Sequence, residues 1–296
     1  MRGESAGVVL TTSAGIIWGT SFVAITIGLH YADPYLLLFE RFLVASAAVL
    51  VIGIFHKNAR VWKELRKPWV WGVGLVYTLA FLSQFVGQDM AGASLASLLS
   101  NLFVIFTPII AYFVLKERPG AGAAAGVVMG VFGVLLVYSS SLRSGGAALG
   151  DLLLVGSALG YTIFIVVSKK LAVSTLSSSF ALMVVMAVES APAALVGGPL
   201  STASFVQPGG LVALLWLGVP CTVVALAMYT RGLSYTGAAQ SAVLLLVEII
   251  VGVGLSFLLL GESLSPLQWT GAIVIGLSIL VSSGVILEVR RPSAAK

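Results

Sequence analysis

The sequence predicts an all-α polytopic membrane protein, with ten transmembrane helices arranged as two five-helix inverted repeats. Three observations predict it. The chain has a mean hydropathy of +1.09, with 59% hydrophobic and only 9% charged residues. Soluble domains carry roughly 25% charged residues, so polar groups cannot cover this surface and lipid must be its main solvent. The second observation is an internal repeat. The stretch Thr236–Gly271 matches Ala91–Gly126 at an offset of 145, close to half of the 296 residues. Gly92 falls on Gly237, Ala93 on Ala238, Leu99 on Leu244, Ile105 on Ile250, Leu115 on Leu260, Glu117 on Glu262 and Gly126 on Gly271.

The third observation is the placement of positive charge. Apolar runs long enough to cross a bilayer, about 20 residues each, fall at 8–28, 33–54, 69–87, 91–115, 120–140, 149–169, 178–198, 209–229, 236–260 and 266–288. Continuous apolar runs fit helices, because lipid offers backbone amides no partners and barrel strands would be shorter and alternating. With the N-terminus in the cytoplasm, that side holds Arg2, Lys57, Arg60, Lys63, Arg66, Lys67, Lys116, Arg118, Lys169, Lys170, Arg231, Arg290, Arg291 and Lys296. The opposite side holds Arg143, and Arg41 lies within the second span. This asymmetry places both termini inside. Five spans per half then invert the second copy, so residues 1–145 and 146–296 form repeats of opposite orientation. Inverted repeats build many secondary transporters, with the substrate path between the halves.

Taken in order, the first span offers Trp18, Ser21 and Phe22 to an interior face, and the second carries Arg41. The basic segment from His56 to Pro68, with Trp62 and Leu65, suits anionic lipid headgroups. In the third span Tyr77, Phe81, Gln84 and Gln88 share a face at helical spacing; Ser94, Ser97 and Asn101 mark the fourth. The fifth has a Gly122-Gly126-Gly130 face and the sixth Gly156-Gly160, which suit close helix packing within the chain or a weak homodimer. Ser157, Tyr161 and Phe164 share a face of the sixth span. Glu189 lies in the seventh beside Met183 and Met186, and Gln240 and Glu248 lie in the ninth.

These observations exclude several classes. A single cysteine, Cys221, rules out an internal disulfide and any multi-cysteine metal site. Neither HExxH nor a Walker-type glycine loop occurs, and no clustered nucleophile or carboxylate motif marks an intramembrane enzyme. No catalytic residue, metal or cofactor is expected, and the net charge of +5 follows membrane topology rather than nucleic acid.

The residues resemble those of the drug/metabolite transporter superfamily, in its ten-helix EamA-type branch. Trp18-Gly19 is similar to that family's first-span signature. Pro34 with Phe39-Glu40-Arg41-Phe42 is similar to its second-span pattern, and Leu102 through Arg118 to its fourth-span ending. Val247-Glu248, Leu260-Gly261-Glu262, Leu267-Gln268 and Gly271 resemble its second-half block. The family often has proline after the glutamate matched to Glu248, where this chain has Ile249. The resemblance implies export of small metabolites, often amino acids, across the bacterial inner membrane, with aromatic amino acid exporters the first branch to consider.

The expected substrate site is a central cavity lined by Trp18, Ser21, Phe22, Tyr77, Phe81, Gln84, Ser97, Asn101, Tyr161, Phe164, Gln240 and Glu248. Its mixture of aromatic walls and few polar groups suits a zwitterion with an apolar side chain. Glu248 has three roles open to it: holding a substrate ammonium, carrying a coupling proton, or bonding helix to helix. Glu189 is the second coupling candidate. Arg41 is read as structural charge, pairing with Glu40, with snorkelling or a substrate carboxylate as alternatives. Glu117 and Glu262 are read as structural carboxylates that fix turns or bind backbone amides. The expected partners are a small-molecule substrate, the bilayer and protons, for a monomer or weak homodimer. Nucleotide-sugar or lipid-linked sugar transport is the alternative within the fold; such anionic cargo would want more cations within the spans than Arg41.

Overall fold

The computed structural model describes residues 2–55, 59–115, 121–144, 148–170, 176–197, 202–233, 235, 244–245 and 247–282. Every regular element among them is helical. In chain order these are α1 (Arg2–Leu29), α2 (Pro34–Phe55), α3 (Ala59–Leu65), α4 (Pro68–Ala91), α5 (Ala93–Ser100), α6 (Phe103–Leu115) and α7 (Ala121–Ser144). The second half has α8 (Ala148–Lys170), α9 (Leu176–Val196), α10 (Ala203–Val206), α11 (Pro208–Gly218) and α12 (Ala225–Leu233). It ends with α13 (Val247–Leu255) and α14 (Pro266–Ser282). The runs Val219–Val224 and Ser256–Leu260 are π-helical.

Among the described residues, seven stretches are long and apolar enough to cross a membrane: Ser5–Leu29, Pro34–Val51, Pro68–Ala91, Ala93–Val114, Ala148–Val167, Ser177–Val196 and Pro208–Tyr229. Shorter apolar helical stretches occupy Val128–Val137 and Val247–Leu260, within the expected fifth and ninth spans. The protein is therefore a multi-pass, all-helical membrane protein. Its most extensive helix pairings join the two halves: α7 with α14, α4 with α8, α2 with α9, and α1 with α12 and α13.

Local sequence explains the ends. Asp33 Oδ1 accepts from the Tyr35 and Leu36 amides at 3.0 and 3.1 Å and caps α2, while Pro34 fills the first helical position, where no amide is needed. Ser265 and Gln268 bond each other's backbone amides at the start of α14, a capping box. Gly92 separates α4 from α5 with φ +89°, a conformation that side chains resist. Beside it, Glu262 bridges the halves: Oε1 accepts from the Ala93 amide at 2.9 Å and Oε2 from the Ser94 amide at 2.7 Å. A carboxylate here satisfies two of the donors that every helix start leaves open. Glu117, matched to it by the repeat, lies outside the described residues.

The glycine faces are used within the chain. A Cβ on Gly130 would collide with Ile105 Cδ1, and one on Gly160 would meet Ala80 Cβ at 2.7 Å. The basic segment forms the short helix α3 against α9. There Glu64 accepts from Lys67 Nζ at 2.7 Å and from Ser178 Oγ at 3.0 Å, while Trp62 is exposed. The Lys67 ammonium holds the Glu64 carboxyl below its ordinary value.

Candidate functional site

The fourth span is not one helix. After α5 the chain turns at Asn101–Leu102 and restarts as α6, with single-turn bonds from Leu102 N to Leu99 O and from Val104 N to Asn101 O. In the second half, α13 begins at Val247 and carries Glu248 in its first turn. Backbone that leaves the helix at membrane depth is tolerated only inside protein or along a watery cavity. These two places meet: the Asn101 side-chain amide faces the Glu248 carboxyl. Asn101 Nδ2 also donates to Ser97 O at 2.8 Å, and α5 packs on α13.

Beside this junction α4 and α8 carry an aromatic cluster. Tyr77 and Phe164 stack with centroids 3.8 Å apart and planes at 9°. Tyr77 lies 4.8 Å from Phe81 and 5.6 Å from Tyr161, and Phe81 lies 5.2 Å from Tyr161. The Tyr161 hydroxyl donates to Gln84 Oε1. One turn further, Gln88 Nε2 donates to Phe22 O and Thr26 Oγ1, which ties α4 to α1.

Arg41 completes the cluster from α2. Its guanidinium sits 4.8 Å from the Phe81 ring centre, with Phe85 and Phe42 at 5.8 and 5.9 Å. Nε donates to Thr222 Oγ1 at 2.9 Å. Thr222 lies in the π-helical run, which follows from Pro220: proline lacks the amide that would continue the α-helical ladder. The Thr222 hydroxyl donates back to Leu217 O at 2.7 Å. The expected Arg41–Glu40 pair does not form. Neighbouring helical residues point about 100° apart, and Glu40 Oε1 instead accepts from Ser204 Oγ at 2.8 Å. Among the described residues no carboxylate pairs with Arg41. Tyr77, Tyr161 and Cys221 stand within electrostatic range of both Arg41 and Glu248.

The other expected site residues divide. Trp18 Nε1 donates to Cys221 O at 2.8 Å, and its ring packs 5.3 Å from Tyr229, so Trp18 joins α1 to the π-helical run and α12. Phe22, Ser21 and Ser97 are buried in packing; a Cβ on Gly252 would meet Ser97 Cβ at 2.6 Å and Phe22 Cδ2 at 3.1 Å. Glu189 Oε2 accepts from Thr78 Oγ1 at 3.1 Å, on the α4 face adjoining the one that carries Tyr77 and Phe81. Gln240 lies outside the described residues. Thr222, Cys221 and Tyr229 were not anticipated; the one sequence signal for them is Pro220 in the middle of an apolar run. The central rings are packed against one another. Among the described residues, an apolar groove of about 200 Å³ between α4 and α8 reaches Phe164 of the cluster beside Trp69 and Val167, and one of about 170 Å³ lies beside Leu99 and Val155. Among the described residues no group of three His, Cys, Asp or Glu gathers to hold a metal.

Comparison with known proteins adds an independent line. The profile of the EamA-like transporter family matches residues 5–139 and again 148–284. A relative from Escherichia coli (strain K12), called a "Probable amino-acid metabolite efflux pump", is 29% identical over 279 residues, 90% of this chain and 91% of its own. A protein of Salmonella typhimurium with the same description is 28% identical over 88% of this chain and 89% of its own. An "Uncharacterized transporter" of Archaeoglobus fulgidus is 28% identical over 77% of this chain and 80% of its own. One solved crystal structure superposes with a TM-score of 0.70 at 18% identity, covering 98% of this chain and all of that one, a likeness of fold alone.

Proposed function

We propose, from the premise that the chain belongs to the EamA-like transporter family, that it exports amino acids or similar small metabolites by alternating access. Membership makes it a membrane transporter; the cargo and the cycle are the proposal. The observation that carries it is the cluster of Tyr77, Phe81, Tyr161 and Phe164, with the buried Arg41 cation against Phe81 and the Glu248 carboxyl within electrostatic range of Tyr77. Aromatic walls with a few placed polar groups suit a small amphiphile that carries charge. The two relatives described as amino-acid metabolite efflux pumps point the same way.

The cycle follows from the pairing of helices between the halves. Exchanging the first-half spans for their second-half matches turns α4–α8 into α11–α1 and leaves α2–α9 and α7–α14 as they are. Ten helices in two inverted five-helix repeats, 1–145 and 146–296, suit this arrangement, with both termini in the cytoplasm of a cell bounded by its inner membrane. Rocking one repeat against the other would expose the central cluster to each side in turn. Within this reading Glu248 is the coupling carboxylate, at the junction of two interrupted helices beside Asn101. Glu189, held by Thr78, is the second candidate.

The test is transport into proteoliposomes with a panel of labelled amino acids and nucleotide sugars. Saturable amino-acid flux is the expected result. Flux of nucleotide sugars alone would select the sugar-carrier reading, and unsaturable conductance would replace the carrier with a channel.

A further inference from the structure

Arg41 is the residue that the expected roles fail to absorb. It lies seven residues into α2, about 10 Å along the helix, and is 2% exposed. It does not snorkel: the side chain reaches across to Thr222 on the π-helical run, away from its own helix end. It does not pair: Glu40 is taken up by Ser204, and among the described residues no carboxylate meets the guanidinium. A buried cation within a membrane is expensive unless something neutralises it. Three phenyl rings and one hydroxyl soften that cost without cancelling the charge.

Its geometry is that of a prepared anion seat. The Nε edge is held by Thr222, whose own hydroxyl proton is committed to Leu217 O, leaving a lone pair for Arg41. One face rests near Phe81. Held by Thr222 and set over Phe81, the guanidinium lies within electrostatic range of Tyr77 and Tyr161. A guanidinium so fixed offers paired donors that match a carboxylate.

We infer that Arg41 binds the carboxylate of the cargo, so the transporter requires a carboxylate and seats the cargo's apolar side chain against Tyr77, Phe81, Tyr161 and Phe164. The inference rests on the amino-acid reading of this site. Cargo of this class neutralises Arg41 when it arrives, and the empty site keeps an uncompensated charge. Thr222 is a positioning residue, acting on the cargo only through Arg41.

The experiment is counterflow in proteoliposomes loaded with L-phenylalanine. Three competitors are used: L-phenylalanine, L-phenylalaninamide (ring and ammonium without the anion) and 3-phenylpropionate (ring and anion without the ammonium). With the wild type, the amide competes at least tenfold more weakly than the amino acid, and 3-phenylpropionate competes measurably. Arg41→Gln raises the KM for phenylalanine roughly 10- to 100-fold, the worth of a hydrogen bond to a charged group, and erases the preference for acid over amide. Arg41→Lys keeps the preference but binds more weakly. Thr222→Val shifts KM in the same direction by a smaller factor, and it serves where Arg41→Gln fails to fold; the wild-type competition ratio needs no variant. An amide that competes as well as the amino acid overturns the inference, as does an Arg41→Gln protein with unchanged KM and preference. Either result leaves amino-acid export standing. A wild type that carries no amino acid in the panel overturns both.

Discussion

Replacing Glu262 by alanine removes a side chain that bridges the α4–α5 junction and the segment before α14 through two backbone bonds. The Ala93 and Ser94 amides that it satisfies are both buried, at 0% and 3% exposure, so water cannot take over as acceptor. A hydrogen bond to a charged group contributes about 1.5–3 kcal/mol, and an orphaned buried donor costs about 1–3 kcal/mol. Two such donors sharing one carboxylate put the loss at roughly 2–5 kcal/mol. For a chain of this size that corresponds to a fall in melting temperature of roughly 5–15 °C. Glu262→Gln keeps one acceptor but turns an NH₂ towards the other amide, so it falls between alanine and wild type. The protein carries its own reporter: Cys221 is its only cysteine and is fully buried, so a thiol-reactive fluorophore in detergent reads unfolding directly. Gly92→Ala supplies the cross-check. Its Cβ would lie 2.9 Å from Glu262 Oε1, and φ +89° strains any side chain. In the Glu262→Ala background the clash disappears and the backbone strain stays, at about 1–3 kcal/mol, so Gly92→Ala must cost less there than in the wild type. An alanine variant melting within about 2 °C of wild type would show that the clasp contributes nothing.

Three further outcomes follow from other contacts. Gly87→Val should destabilise strongly, because a Cβ there meets Gly150 O at 2.9 Å and Leu154 Cγ at 3.0 Å where α4 crosses α8; overpacking of this kind costs roughly 1–3 kcal/mol, and an unchanged melting curve would show that this crossing yields freely. The Glu64 carboxyl is depressed by the Lys67 ammonium, so its tether to α9 is present above the ordinary glutamate value, about 4.3, and is lost as pH falls through the lower folded value. Hydrogen-exchange protection over Ala59–Leu65, taken relative to the intrinsic rate at each pH, should therefore stay level from pH 7 to about 5 and fall below about 4, whereas loosening already at pH 6 would assign the tether to another group. Glu248→Gln preserves the amide-like contact with Asn101 and removes the charge; it should lower counterflow at least tenfold and abolish uptake driven by a pH gradient. A variant matching the wild type in both assays removes Glu248 from coupling.

The membrane class was legible because it is written in composition, and the two copies because Gly92, Glu117 and Gly126 recur as Gly237, Glu262 and Gly271. The aromatic face was legible for a narrower reason. Tyr77 and Phe81 on α4, and Tyr161 and Phe164 on α8, follow helical spacing, and spacing survives folding. What spacing does not carry is where a helix stops being a helix. The turn at Asn101–Leu102 has no glycine or proline to announce it, and its backbone is satisfied by tight local bonds that leave no mark on the spacing. The fate of Arg41 was hidden in the same way. Its sequence neighbour Glu40 is a natural partner on paper, yet the 100° step along a helix sends the two side chains to different helices. Thr222, 181 positions away, decides the orientation, and its position depends on a widened turn at Pro220. The residues whose surroundings spacing could not reveal are thus those whose neighbours lie across the repeat boundary: Arg41 with Thr222, Asn101 with Glu248, Trp18 with Cys221. Each half supplies one member of every pair, so neither half alone holds a site, and any motion of one repeat against the other must remake these contacts.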